Sequence, residues 1–186
     1  MKRKFWAVPL TVIALACTVL LGACGGSSVE EFIREDLDEA FGEISPEDEE
    51  FIDSMNESSG SSFELLDIDI TEFAEAYLDG FSYEIGEVTV DEERGVATGV
   101  VKVKMKTLTQ IMTDFSEQYQ AWISNLDPNA LPTEEELYAK GGEILMEVTK
   151  NAKPQESDVI IDYSKNEEGV WAPDEGAEMA LFDAMM

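Results

Sequence analysis

The chain has 186 residues, with 41 acids against 12 Lys and Arg, two cysteines and no histidine, so its formal net charge at pH 7 is −29. That balance excludes nucleic acid or anionic headgroups held through a basic patch, because both need clustered Lys and Arg. The lack of histidine excludes Ser-His-Asp and Cys-His nucleophiles, His-ligated zinc and imidazole proton shuttles, leaving carboxylates, Tyr, Lys, Ser or an oxygen-held metal for any catalysis.

Lys2, Arg3 and Lys4 precede an apolar run from Phe5 to Leu21, interrupted by Pro9 and followed by the small residues Gly22 and Ala23 before Cys24. This is the layout of a secretory signal; a permanent transmembrane helix is the alternative, since the run approaches the roughly 17-residue minimum for a bilayer span. Leu21-Gly22-Ala23-Cys24 resembles the lipobox of bacterial lipoproteins. The resemblance implies cleavage before Cys24 and acylation there, and two acyl chains of the palmitate kind suffice for stable anchoring.

The expected organisation is a signal peptide over 1–23, a lipidated cysteine and short tether over 24–28, and a single domain over 29–186, on the extracytoplasmic side of the cell membrane. Gly25 to Ser28 reaches only about 10–12 Å, which keeps the body close to the lipid. Loss of residues 1–23 removes three cations and no acid, which takes the formal charge from −29 to −32 on 163 residues with nine cations. Cys17 leaves with the signal, so no disulfide staple is expected. A chain of this length fits one domain and buries roughly 70% of its unfolded surface.

Ser28 and Glu31 have capping-box spacing, and Val29, Phe32, Ile33, Leu37, Ala40, Phe41 and Ile44 follow on one helical face. Ser45-Pro46 starts a second helix carrying Phe51, Ile52 and Met55, and Ser58 to Ser62 forms a flexible loop. Thr71 caps a third helix with Phe73, Tyr77, Leu78 and Phe81. The period then becomes two: Tyr83 and Ile85, then Val88 and Val90, form a strand whose slip at Gly86-Glu87 marks a bulge. After a turn over 91–95, Ala97, Gly99, Val101, Val103 and Met105 alternate with polar residues in a second strand.

Thr107 and Gln110 open the helix with the longest apolar stripe, Leu108, Ile111, Met112, Phe115, Tyr119, Trp122, Ile123 and Leu126, which is expected to be central. Thr133 and Glu136 cap another helix, with Leu137, Tyr138, Gly141, Ile144, Leu145 and Val148 inward, and Pro154 stops it. Val159, Ile161 and Tyr163 form a third strand, Val170 and Trp171 a fourth, and Asp174 caps a last helix. Hairpins separated by helices predict an α+β fold, a curved four-stranded antiparallel sheet with helices packed on its concave face. A helical N-terminal part, a bulged antiparallel sheet and helices in its concavity resemble the cystatin-like cone fold of the nuclear transport factor superfamily over about 29–186.

Three groups are candidate sites. Lys102, Lys104 and Lys106 share one strand face and form either an anion-binding stripe or a solvent face paired with Glu84 and Glu87. Phe115, Tyr119 and Trp122, with Tyr77, Tyr83 and Trp171 opposite, form either a wall for a small apolar ligand or plain core. Acids at 47–50, 67 and 69, 91–93 and 162–168 lack the D-x-[DN]-x-[DN]-G order of a calcium loop, so no metal and no cofactor is expected. Every Asp and Glu falls on a polar face or turn, which leaves a general acid or base without the burial it needs. The leading reading is a lipid-anchored, non-enzymatic interaction module that contacts the membrane through lipid at Cys24, binds no nucleic acid and meets an unspecified protein or small molecule. The alternatives are an apolar-ligand carrier and a carboxylate/Tyr enzyme of the ketosteroid-isomerase kind.

Overall fold

The computed structural model describes residues 28–185, so the lipobox lies outside the described residues. In chain order come α1 (Val29–Gly42), α2 (Glu49–Ser59), α3 (Ser62–Leu65), α4 (Ile70–Leu78), β1 (Ser82–Asp91), β2 (Val96–Met105), α5 (Leu108–Ser124), α6 (Glu134–Asn151), β3 (Gln155–Lys165), β4 (Trp171–Pro173) and α7 (Ala177–Met185). Their starts follow from side chains that satisfy free helix N–H groups. Ser28 accepts from Glu31, Thr107 from Gln110, and Thr133 and Glu136 form a reciprocal capping box. Two starts differ from expectation. Asp48 rather than Ser45 caps α2, and Asp69 rather than Thr71 caps α4, each accepting from the N–H three residues on. Three of the five residues of the expected loop over 58–62 are helical, because α2 runs to Ser59 and α3 begins at Ser62.

The four strands pair antiparallel in the order β1-β2-β3-β4. Register slips between Ile85 and Val88, where the sequence predicted a bulge, and Arg34 of α1 donates from Nη1 to the Gly86 carbonyl there at 3.0 Å. Alternation gives the sheet two unlike faces. Ala97, Val101, Val103 and Met105 of β2 lie beside Val159, Ile161 and Tyr163 of β3 on the buried face. The other face carries Glu84, Lys102, Lys104, Glu156, Asp158 and the exposed Ile160.

The helix that covers the buried face is α1. It packs on β1 and β2 and buries Phe32, Ile33, Leu37, Ala40 and Phe41. At about 1.5–3 kcal/mol for each large apolar side chain, that stripe anchors the layer. Gly99 makes the close approach possible, since a Cβ there would fall 2.6 Å from Leu37 Cδ1. Helix α7 packs on β3 beside it.

The expectation that α5 is central is overturned. Only Ile111 of its stripe is buried; Met112 is 52% and Ile123 44% exposed. The reason is topological. The two helices inserted between β2 and β3 leave the sheet as a hairpin, and α5 packs chiefly on α6, which in turn packs on α3 and α4.

Lys106 is a second correction. Strand β2 stops at Met105, so the alternation that would have sent Lys106 outward ends one residue too soon, and the side chain is 1% exposed. Its Nζ donates to the Ala76 carbonyl at 2.6 Å and the Thr149 carbonyl at 2.9 Å, with Asp79 Oδ2 3.7 Å away. Ala76 and Thr149 lie in the last turns of α4 and α6, whose end carbonyls lack intrahelical partners and carry partial negative charge. One ammonium therefore closes the ends of two helices.

Candidate functional site

The outer sheet face retains two of the three lysines. Lys102 stands between Glu84 on β1 and Asp158 on β3, and Lys104 between Ser82 and Glu156. These residues line an open depression of about 680 Å³ together with Tyr83, Val103 and Ser157. Glu87 sits in the bulge and faces no lysine. Two cations among three carboxylates leave this patch with net negative charge, so it does not concentrate anions as a run of three lysines would. Each lysine is instead flanked by opposite charge across the ladder, an arrangement worth about 0.2–1 kcal/mol per pair.

The six aromatic residues all pack in or against one hydrophobic cluster, but in separate ring contacts. Phe115, Tyr119 and Trp122 form a ladder along α5 with ring centroids 5.5 Å apart at each step, and the Tyr119 hydroxyl donates to the Leu137 carbonyl of α6. Tyr77 stacks on Phe73 within α4 and is fully buried, which pushes its hydroxyl well above the usual tyrosine range. Tyr83 packs on Phe41 and Phe81 and donates to Asp38 at 3.0 Å; burial first, then the Asp38 carboxylate, raise its pKa. Trp171 is buried on β4. Among the described residues, no ring contact joins the α5 ladder to Tyr77, Tyr83 or Trp171.

One acid breaks the expectation that all carboxylates face water. Asp36 of α1 is 7% exposed and accepts from the Tyr163 hydroxyl of β3 at 2.7 Å. Burial raises the Asp36 pKa above its usual 3.8, the Tyr163 hydrogen bond opposes this, and Glu39 adds to the rise. Tyr163 is pushed up strongly by burial and then by the carboxylate it faces. The sequence held a signal for this pair. Asp36 falls three residues after Ile33 and four before Ala40, inside the apolar stripe, and Tyr163 continues the inward alternation of Val159 and Ile161. Chemically the pair is closed, because each polar tip is occupied by the other and both are walled by core side chains. It fixes α1 against β3. No group of three acids among the described residues has the geometry to hold a metal ion.

No protein-family model matches the chain, and no curated protein is similar to it. Among solved structures, it is similar to the crystal structure of a candidate lipoprotein (ycdA) from Bacillus subtilis subsp. subtilis str. 168, at 14% identity and a TM-score of 0.43. The match covers 87% of this chain and 48% of that one, so the chain spans about half the length of the protein it resembles.

Proposed function

We propose that this protein is a lipid-anchored, extracytoplasmic interaction module with no catalytic activity of its own. The observation that carries the reading is Leu21-Gly22-Ala23-Cys24 behind a cationic start and an apolar run. A small pair before a cysteine is what lipoprotein processing requires, and the four residues from Gly25 to Ser28 hold the body within about 10–12 Å of the lipid. The body itself supports a binding role over a chemical one. The one carboxylate buried among the described residues is engaged by Tyr163, so a substrate would have to break a 2.7 Å bond inside the core to reach it. That Tyr77, Tyr83, Trp171 and the α5 ladder make separate ring contacts supports an interaction role over the carrier reading. The cone-like reading of the body rests on α1 lying across the sheet.

Replacement of Cys24 is the decisive experiment. Cys24→Ala is expected to leave the precursor uncut or release the body to the soluble fraction, and to abolish incorporation of labelled fatty acid. Labelling of the variant at the parental level would remove the anchor and the compartment with it.

A further inference from the structure

The depression on the outer sheet face holds both signs of charge in adjacent columns. Lys102 and Lys104 run along β2, Glu84 stands beside Lys102 on β1, and Asp158 and Glu156 stand beside Lys102 and Lys104 on β3. Neighbouring strands lie about 4.8 Å apart, so each column is within reach of the next. Yet among the described residues neither ammonium comes within 4 Å of a carboxylate, whereas Arg34, Lys140 and Lys150 on other surfaces each close such a pair. Five charged tips line the depression without an ion pair.

The next rung along the same face is apolar. Val100 of β2 and Ile160 of β3 are register partners one rung beyond Lys102 and Asp158, and Ile160 is 55% exposed. Gly86 at the bulge has no side chain to lay over Val100, although a Cβ there would stand 3.8 Å from Val100 Cβ. Two residues of strand separate the rungs, which places the apolar pair about 7 Å from the charged one.

Each feature excludes a class of ligand. An anion alone meets three carboxylates on a chain of net charge −29, and a cation alone meets two lysines. A molecule that carries both charges a few ångströms apart satisfies one column with each end, and the apolar rung then suits an aliphatic group beside them. We propose that this face binds a free α-amino acid with an aliphatic side chain. Its carboxylate accepts from Lys102, its ammonium donates to Asp158, and its side chain lies over Val100 and Ile160. Hydrogen bonds between charged partners are the strong ones, and the depression of about 680 Å³ has the size of a small-molecule site. The site gives the interaction reading its ligand and rests on that reading for contact with solutes outside the cell membrane. Cys24 takes no part in it, so either can fail alone.

Equilibrium dialysis of labelled L-leucine against the full-length chain in detergent is expected to show one saturable site. Isoamylamine, which lacks the carboxylate, and 4-methylpentanoate, which lacks the ammonium, should each compete at least about tenfold less well than unlabelled leucine. Lys102→Gln and Asp158→Asn should each weaken leucine about tenfold, while Lys165→Gln, which removes an exposed cation at the far end of β3, leaves it unchanged. Ile160→Ser should cut the preference for leucine over glycine severalfold. Lys102, Asp158 and Ile160 are exposed, so these variants keep the parental unfolding midpoint. Cys24→Ala, which removes the anchor, should bind leucine as the parent does. The absence of saturable leucine binding, equal competition by either half-molecule, or an equal loss from Lys165→Gln would each overturn the site.

Discussion

Helices α1 and α5 read alike in sequence, each with an N-cap hydroxyl, a single apolar stripe and a polar back, yet they have opposite fates. Helix α1 lies across the sheet with its stripe closed over by β1 and β2, whereas α5 leaves the sheet and presents Met112 and Ile123 to solvent. The difference teaches that amphipathicity specifies that a helix has a partner face, not which element supplies the partner. Length was the misleading cue. The seventeen residues of α5 exceed the fourteen of α1, but the partner decides: α5 packs chiefly on α6, while α1 packs on β1 and β2.

The contrast can be broken most directly by deleting one ring from each helix. Phe41→Ala on α1 is expected to cost about 3–5 kcal/mol in urea unfolding, as a fully buried aromatic should. Trp122→Ala on α5, half-buried beside α6, is expected to cost only about 1–2 kcal/mol. Equal losses would return α5 to the core. Between these two falls Lys106, at the junction where the chain leaves the sheet for the hairpin. Lys106→Met fills the space but leaves the Ala76 and Thr149 carbonyls without a donor, at an expected cost of about 2–3 kcal/mol. A variant as stable as the parent would show that the ammonium is dispensable and that apolar packing alone holds α4 to α6.

The smallest effect sharpens the α1 side through its dependence on pH. Because the folded-state pKa of Asp36 lies above the unfolded value of 3.8, the folded protein holds the extra proton between the two. The stability linked to that proton is complete below about pH 3.8 and is lost as pH rises through the folded-state value. Asp36→Asn keeps an acceptor for the Tyr163 hydroxyl and cannot ionise, so its unfolding midpoint should gain on the parent from acid to neutral pH. A midpoint that instead falls behind as pH rises would mean that the charged carboxylate is the favoured partner of Tyr163.

Much of this fold was legible because it is written locally. The Ser28, Thr107 and Thr133 caps, the slip at Gly86-Glu87 and the strict alternation of β2 each depend on residues a few positions apart. What escaped depends on partners distant in sequence. Lys106 turned inward because carbonyls 30 and 43 residues away needed a donor, and Asp36 is tolerated in the core because a hydroxyl 127 residues away meets it. The three lysines looked like one stripe because alternation says nothing about where a strand stops. The six aromatic residues looked like one wall because helical spacing places rings on a face without saying what that face meets.

The hairpin between β2 and β3 also sets the order in which the chain can assemble. Met105 and Gln155 are register partners, so pairing these strands must close a long loop before any ladder bond forms, an entropic barrier that slows sheets built from distant segments. Helices α5 and α6 touch across only a short connection and can dock first, drawing the two strand ends together and shortening the search. The hairpin that stands off the sheet is thus the one whose early formation lets the sheet nucleate, and changes in the 125–133 loop should slow refolding more than they alter stability.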